Sequence, residues 1–342
     1  MKFGKFVLIS AVAFCAVSCL EGLKNLGVDV NVDKTTQTSS TEFLNIEGES
    51  ALAADNSGEI AVISESQNSI SQSVTLPSSG STKVGKLTIK VEDMPEIANG
   101  AVIEDSQIKL VFDNPAEKPV KFTGSVQLNG ENAGFSVVVP AKAIGYKVLI
   151  AKDGTTAASG CDEVVAPQTD LQKILNKKPS GNMLIEMEVS ESAKSSKKLA
   201  ASDTYTFKIV GALITPFHFK AGDKIHIKHT LKDLGLNLGD YDIDANSFDI
   251  YCDVTSTIPF EIACTGKDVN GVTAKTNNPI KAGTIANPVK TSVVISVDGA
   301  KSSPTIEQVT LDFELTATEG AKINKNQSLK IDYDKIKVSI LK

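Results

Sequence analysis

The chain contains no arginine and no tryptophan, and it has only five tyrosines. Arginine is the usual residue for planar, bidentate contacts with carboxylates and phosphates, so its absence argues against a site of that kind. Stacking platforms for sugars or bases would have to be built from few aromatic side chains. Sites that depend on guanidinium or indole groups are therefore excluded.

The chain also lacks an excess of positive charge. Its formal net charge at pH 7 is −6, because 41 acidic residues outnumber 35 lysines. A mildly acidic surface repels phosphate backbones and anionic lipid headgroups. We therefore predict no nucleic-acid partner and no polybasic docking to a membrane.

A third absence concerns the sequence signatures of catalysis. The chain contains no Gly-x-Ser-x-Gly elbow, no His-Glu-x-x-His helix and no glycine loop of the kinds that hold phosphates or dinucleotides. The histidines, His218, His226 and His229, have no cysteine or acidic pair at ligand spacing, so we interpret them as surface or satisfied side chains. We predict a protein that is not an enzyme and has no cofactor.

The first nineteen residues carry the strongest functional signal. Lys2 and Lys5 precede an apolar or small-residue run from Phe6 to Val17, and Ala16-Val17-Ser18 leads into Cys19. The run is too short for a permanent transmembrane helix, and the layout is that of a secretory signal. No second apolar run of about 20 residues follows it.

This stretch resembles a bacterial lipoprotein signal, in which small residues precede a cysteine that is lipidated and becomes the new N-terminus. The resemblance implies a signal peptide at residues 1–18 and an acyl anchor, such as palmitate, on Cys19. The alternatives are a plain cleaved signal and an uncleaved anchor. Cys15 is a poorer lipidation site because bulky Phe14 precedes it. Leu20 stands in place of the aspartate associated with inner-membrane retention, so the resemblance implies an outer-membrane lipoprotein, periplasmic or surface-exposed.

The polar segment after Cys19 predicts a flexible tether over residues 19–53. Thr35 to Thr41 is a run of hydroxyl and amide residues, which buries too little apolar surface to offset the entropy lost on ordering. Phe43, Leu44 and Ile46 interrupt this polar character, and one interpretation is that they dock on the first folded domain.

From Glu59 onward, apolar and polar residues alternate with period 2 in short runs closed by Gly, Pro, Asn or Asp. This pattern is typical of half-buried strands. The clearest helical pattern is Thr169 to Asn176, where Leu171, Ile174 and Leu175 share one face. We therefore predict a mainly β fold.

The two halves of the chain repeat each other, which decides the architecture. Ser106 to Asp113 is echoed by Asn246 to Asp253, and the order of several further matches is the same in both halves. We predict two tandem, duplicated β-sandwich domains of the Ig-like or Greek-key type, at residues 54–210 and 211–342. Tyr205 to Ile214 matches both the last strand of repeat two and the strand that opens repeat one. We therefore predict that it closes the first domain and opens the second.

Two cysteines lie in the second repeat. Cys252 and Cys264 have the strand parity of their core neighbours, so both should point inward. A hairpin turning near Ser256 to Ile258 would place them almost opposite each other, and close cross-strand pairs have Cα atoms about 4.5–5.5 Å apart, which suits a disulfide in an exported protein. The alternative is a pair of reduced core thiols. Cys161 is left unpaired, as a partly buried loop thiol.

Four oxygen-bearing side chains alternate along one segment: Asp240, Asp242, Asp244 and Asn246. Calcium loops have this spacing. Ala245 stands where an EF-hand-type loop needs glycine, and Tyr251 stands where its bidentate glutamate belongs. The solvated face of a strand gives the same spacing without a metal, so calcium is the lesser of two hypotheses here.

In its signal, tether and repeats, the sequence resembles the two-domain β-sandwich lipoproteins of Bacteroidota-type bacteria. The resemblance implies a non-catalytic, lipid-anchored envelope protein that acts as a binding or structural module, with an unknown protein or glycan partner. One alternative is a fimbrillin-like pilus subunit, although such subunits are typically matured by cleavage after arginine. Another is a glycan-binding accessory of a polysaccharide uptake system, which the absence of tryptophan disfavours.

Overall fold

The fold is taken from a computed structural model, which describes residues 27–46, 51–55, 57–76, 79–152, 160–192, 204–231, 236–237, 245–264, 273–298, 305–306 and 309–340. The strands up to residue 218 are β1 Gly27–Ser39, β2 Leu52–Ala54, β3 Ile60–Glu65, β4 Ile70–Thr75, β5 Thr82–Lys90, β6 Val102–Ile103, β7 Gln107–Asn114, β8 Val120–Leu128, β9 Glu131–Val139, β10 Ala143–Ile150, β11 Glu163–Val165, β12 Asn182–Glu191 and β13 Thr204–His218. The remaining strands are β14 Lys224–Leu231, β15 Leu236–Asn237, β16 Ala245–Ser256, β17 Phe260–Cys264, β18 Thr273–Thr276, β19 Val289–Asp298, β20 Thr305–Ile306, β21 Val309–Ala317 and β22 Ser328–Ile340. The described helices are α1 Ser40–Phe43, α2 Thr169–Leu175 and a 3₁₀ turn at Glu96–Ala98. The predicted mainly β fold is confirmed.

The chain divides into two compact units. Residues Glu49–His218 form one unit, called the first sandwich; Met1–Gly48 and Phe219–Lys342 together form the other, called the second sandwich. The expected boundary after residue 210 falls inside β13, which continues to His218 because residues 212–216 still pair with β3. The second sandwich is therefore assembled from both ends of the chain.

The first sandwich packs two sheets around one apolar core. One sheet has the order β11-β10-β7-β13-β3-β2, with β4 and β6 also pairing with β13, and the other has the order β5-β12-β8-β9. Inward-facing positions of β7 and β8, such as Ile108, Phe112 and Phe122, are fully buried, whereas the residues between them are partly or fully exposed. The period-2 alternation therefore produces a half-buried strand, as the sequence predicts. The helix predicted at Thr169 is confirmed as α2.

The second sandwich also contains two main sheets. The larger has the order β1-β22-β16-β19-β18, the smaller has the order β14-β21-β17, and β15 pairs separately with β20. Phe248, Ile250, Phe260 and Ile262 are buried in this unit. Their alternation along β16 and β17 gives each strand one inward-facing side.

The predicted duplication is visible in the strand order. The series β10-β7-β13-β4 in the first sandwich matches β19-β16-β22-β1 in the second, and β5-β12-β8 matches β14-β21-β17. The register agrees as well, because Met187 pairs with Gly124 in the first sandwich where Phe313 pairs with Cys264 in the second. Both units therefore share one sandwich topology.

The prediction of a flexible tether at residues 19–53 is wrong for residues 27–46. Strand β1 pairs antiparallel with β22 from Gly27 opposite Ser339 to Ser39 opposite Ser328. β1 occupies the sheet position that β4 has in the first sandwich. Threonine and valine favour strands, and the main-chain pairing of β1 with β22 offsets the ordering entropy that the polar composition alone cannot.

The expectation that Tyr205 to Ile214 opens the second domain is also wrong, because β13 pairs with β3, β4, β6 and β7.

The segment after β1 is fixed in the second sandwich, not in the first as one interpretation had it. Phe43 is 3% exposed and packs edge-on against Phe313, with ring centroids 5.5 Å apart. Leu44 and Ile46 are also buried. The side chain of Asn45 donates a 2.7 Å hydrogen bond to the carbonyl of Lys228. Phe43, Leu44 and Ile46 thus belong to the core of this unit.

Candidate functional site

Most of the residues singled out in the sequence for lipidation and calcium lie outside the described residues. This holds for Cys19, Asp240, Asp242 and Asp244. Asn246 lies in β16. The lipid anchor and the calcium hypothesis therefore stay predictions.

Cys252 and Cys264 are both buried, and no disulfide joins them. The expected hairpin between them is wrong, because β16 belongs to the larger sheet and β17 to the smaller one. Cys252 instead lies beside Val293 and Tyr333, and Cys264 lies beside Phe313. Burial, together with the neighbouring Asp253 carboxylate, raises the pKa of the Cys252 thiol to about 12.

The histidines and the other possible metal ligands form no metal site in the described part of the chain. His226 Nε2 lies 3.8 Å from Glu314 Oε2, and the His229 ring lies against Phe43 with centroids 5.0 Å apart. Among the described residues, no three His, Cys, Asp or Glu side chains are grouped so that they could hold a metal ion. No described helix has the length and apolar character needed to cross a membrane.

The cavity of interest lies on the outer face of the larger sheet of the first sandwich, with a volume of about 480 Å³. It forms where β13 stops pairing with β4 and starts pairing with β3. Ile209 is paired with Ile70 of β4, whereas Ala212 is paired with Glu65 of β3. Val210, between them, is 43% exposed although it is a large apolar residue. The cavity therefore opens at a break in the sheet.

The break exists because the chain between β3 and β4 leaves the sheet and contacts β5 of the opposite sheet. Ser66 forms an isolated bridge with Ile89, and the backbone amide of Gln67 donates a 2.8 Å hydrogen bond to the carbonyl of Thr88. Asn68 continues the contact, since its side chain accepts a 2.8 Å hydrogen bond from the amide of Thr88. These bonds hold the rim of the cavity in place.

The floor of the cavity is a row of cross-strand neighbours. Leu149 of β10 pairs with Lys109 of β7, Lys109 pairs with Ala212 of β13, and Ala212 pairs with Glu65 of β3. Paired residues of neighbouring antiparallel strands point to the same side of a sheet, so all four face outward. The small side chain of Ala212 separates the lysine from the glutamate and leaves space above itself.

Apolar side chains form the walls of the cavity. Val111 lies beside Val210, and Ile214 lies beside Ile63. Cys161, at 7% exposure, closes one side and packs in a small apolar cluster with Leu149 and Ile214. Cys161 lies in a loop, as expected, but its side chain is buried rather than partly buried, and it lines the cavity.

Five polar side chains of the described residues line the cavity: Asp55, Glu65, Ser66, Gln107 and Lys109. Two of them have structural roles. One carboxylate oxygen of Asp55 accepts hydrogen bonds from the amides of Ser57 and Glu59, at 2.8 Å and 3.0 Å. The hydroxyl oxygen of Ser66 accepts a 3.2 Å hydrogen bond from the amide of Gly211.

The other three, Glu65, Gln107 and Lys109, make no hydrogen bond or ion pair with any described residue. Lys109 and Gln107 are partly buried, and Glu65 is exposed. Two strand spacings, about 10 Å, separate the Cα atoms of Lys109 and Glu65. Among the described lining residues, the side chains without a partner are therefore one lysine, one glutamate and one amide around an apolar floor, beside the Asp55 carboxylate that backbone amides hold.

Sequence reasoning missed this site. Its residues come from five strands, so no local motif contains them. The available signal was the outward face of β7, where Gln107, Lys109 and Val111 are only partly exposed. A solvated strand face would expose such side chains more fully.

Outside the cavity, the lowered carboxyl pKa values belong to surface hydrogen bonds and ion pairs. A hydrogen bond from Lys290 and another from Ser292 lower the pKa of the Asp253 carboxyl. A hydrogen bond from Lys224 lowers the pKa of the Glu314 carboxyl. Exposed pairs of this kind contribute little to stability and have no catalytic partner.

Neither a protein-family model nor a curated protein sequence matches the chain. Among solved structures, a candidate secreted protein from Parabacteroides distasonis is 13% identical with a TM-score of 0.43, and the alignment covers 92% of this chain and 99% of that one. The structure of the infectious bursal disease virus Gt strain is 8% identical with a TM-score of 0.19, covering 82% and 42%. The major capsid protein P2 of bacteriophage PM2 is 11% identical with a TM-score of 0.16, covering 79% and 97%.

Proposed function

We propose that this chain is an exported, lipid-anchored protein of the bacterial cell envelope, held in the outer membrane through Cys19. Its two sandwiches act as a non-catalytic binding module. The observation that carries the proposal is the N-terminal sequence, in which a short apolar run and Ala16-Val17-Ser18 precede Cys19. This layout directs export, and it supplies the cysteine that a lipid anchor needs.

The position of β1 adds a geometric consequence to this proposal. Strand β1 begins at Gly27, so only residues 20–26 separate Cys19 from the second sandwich. Seven residues span at most about 25 Å when fully extended. The second sandwich would therefore lie close to the lipid surface, and the tether is shorter than the sequence suggested.

The cavity in the first sandwich supports a binding role over a catalytic one. Its free polar groups are a lysine, a glutamate and an amide, and the hydroxyl of Ser66 is bonded to a backbone amide. A nucleophilic mechanism would need a general base within hydrogen-bond reach of that hydroxyl. A cavity of this size with a few convergent polar groups is typical of small-molecule sites.

The two alternatives have less support. A glycan-binding accessory would normally stack sugar rings on aromatic side chains, and the described residues that line the cavity include none. A pilus subunit that is matured by cleavage after arginine has no arginine to cleave at. No contact between described residues favours either alternative.

The experiment that tests the anchor compares Cys19→Ala with Cys15→Ala in a bacterial host that lipidates exported proteins. We expect wild type and Cys15→Ala to incorporate labelled palmitate and to sediment with outer membranes. We expect Cys19→Ala to lose the label and to be released from the membrane fraction. If Cys19→Ala kept the label, or stayed membrane-bound like wild type, the proposed anchor would be wrong.

A further inference from the structure

We propose that the cavity on the outer face of the first sandwich binds a small zwitterion with an apolar body, of the class of a free apolar amino acid or dipeptide. This inference rests on the proposed binding role and names the ligand class. Lys109 would bind the carboxylate, Glu65 would bind the ammonium group, and the apolar walls would bury the side chains.

The charges of the cavity are the first argument. Lys109 and Glu65 lie in one cross-strand row, with only Ala212 between them. They are not paired with each other within 4.0 Å, and neither has another partner among the described residues. A ligand that carries both charges on one small body can satisfy both groups at once. A ligand with a single charge would leave one of the two groups without a partner.

The apolar lining is the second argument. Val111, Leu149, Val210 and Ile214 face the same space as the charged pair. Val210 is the most revealing, because 43% of a large apolar side chain is open to solvent in the middle of a strand. Burying such a surface stabilises a complex, because apolar area is removed from water. A strongly hydrated ligand without an apolar body would gain nothing from these contacts.

The size of the cavity is the third argument. Its volume of about 480 Å³ lies within the range of about 300–1,000 Å³ that small-molecule sites have. Gln107 lies at the end of the cavity next to Ile214, where it can hydrogen-bond a peptide group. The Ser66 hydroxyl donates no hydrogen bond to a described acceptor, so it can donate one to a ligand carbonyl.

The test uses the membrane-extracted full protein in mild detergent, with leucyl-leucine as the probe. Binding is measured by calorimetry, and hydrogen exchange locates it. We expect protection of the peptides that contain Lys109 and Ala212. N-acetyl-leucyl-leucine amide, which has the same apolar body without charges, should bind at least about tenfold more weakly, because a hydrogen bond to a charged group contributes that much.

Matched variants assign the charges. Lys109→Met and Glu65→Gln keep the length of each side chain, and each should weaken leucyl-leucine binding about tenfold or more. Lys147→Met is the control, because Lys147 is an exposed lysine on the same face that does not line the cavity. It should leave binding unchanged. Unfolding midpoints close to that of wild type would show that each variant is folded.

Three results would overturn the proposal: no binding of leucyl-leucine up to about 10 mM, which corresponds to less than about 3 kcal/mol; equal binding of the uncharged analogue; or unchanged binding in both Lys109→Met and Glu65→Gln. If maltose instead protected the same peptides, the ligand class would be wrong while the binding role stood. Release of Cys19→Ala from membranes is measured separately, so failure of the anchor is distinguishable from failure of the ligand class.

Discussion

Thr35 Oγ1 in β1 donates a 2.6 Å hydrogen bond to Asp332 Oδ1 in β22, a residue 297 positions further along the chain. This bond joins the first described strand to the last. It is one contact in a ladder that runs from Gly27 to Ser39 of β1, with an irregularity between Asn31 and Lys34. The N-terminal segment is therefore an integral strand of the second sandwich, which cannot be completed before the C-terminal strand exists.

The burial of Phe43 predicts that the second sandwich depends on the N-terminal segment. Phe43→Ala should destabilise this unit by about 3–5 kcal/mol, the usual cost of removing a buried phenylalanine side chain. Urea unfolding followed by hydrogen exchange measures the cost for the two sandwiches separately. We expect the first sandwich to keep its stability.

Ile144→Ala is the control for this variant, because Ile144 is 89% exposed. Its cost should lie within about 0.5 kcal/mol of zero. A cost below about 1 kcal/mol for Phe43→Ala would show that residues 40–46 are a tether after all.

The Thr35–Asp332 contact predicts a pH dependence. The hydrogen bond from Thr35, and then that from Lys330, lower the pKa of the Asp332 carboxyl below its ordinary value of 3.8. A lowered carboxyl pKa stabilises the fold fully above about pH 4, and this stabilisation is lost as the pH falls through the folded-state pKa. Acid should therefore loosen β1 through this group, and Asp332→Asn should make the stability of the second sandwich less dependent on pH below about 4.

An NMR titration of the Asp332 carboxyl tests the cause of that shift. In Thr35→Val the pKa should move up toward 3.8, because the main hydrogen bond is lost. Thr38→Val, three residues along the same strand, should leave it unchanged. The same Asp332 pKa in wild type and Thr35→Val would contradict the assigned cause.

The strands of both cores could be predicted from the sequence, because burial on one face imposes period-2 alternation within each strand. Phe248, Ile250 and Cys252 show this directly, as all three are buried. The duplication was predictable for the same reason, since corresponding strands of the two sandwiches bury the same face and therefore have the same alternation of apolar and polar residues. Strand β1 was not, because its order depends on β22, and no local pattern reports pairing between opposite ends of a chain.

The cavity was also beyond local pattern. It depends on the register of β7, β13 and β3, which brings Lys109, Ala212 and Glu65 into one row. A shift of one residue in either pairing would send these side chains to the core. Sequence periodicity predicts which face of a strand is buried, but not which residue of the next strand lies beside it.

The two buried cysteines predict stable thiols. We expect Cys252 and Cys264 to be alkylated slowly at pH 8 in the folded protein, because both are buried and the Cys252 pKa is raised to about 12. After unfolding, both should react at the rate of free cysteine. The mass of the unreduced protein should equal that of the reduced one.

A mass lower by about 2 Da before reduction, assigned to a Cys252–Cys264 peptide, would contradict this prediction. Cys252→Ser provides the control for assignment of the alkylated peptides.

The two glycines of the β8–β9 hairpin predict opposite outcomes for one added methyl group. A Cβ on Gly124 would lie 2.2 Å from ring atoms of Phe135, its cross-strand partner, whereas a Cβ on Gly134 would meet nothing closer than 3.6 Å. Neither glycine has a positive φ, so backbone strain does not confuse the comparison. Gly124→Ala should therefore destabilise the first sandwich by about 1–3 kcal/mol, the usual cost of overpacking.

Gly134→Ala should be neutral or stabilising by up to about 1 kcal/mol, because it restricts the unfolded chain without a clash. Adding Phe135→Leu to Gly124→Ala opens space at the contact, so the double variant should be more stable than the sum of the single costs predicts. Additive costs in urea unfolding would show that Phe135 is not what excludes a side chain at residue 124. The second sandwich agrees with the steric explanation: Cys264 holds the equivalent place there with its side chain buried, and no described phenylalanine lies beside it on the side where β9 flanks Gly124 in the first sandwich.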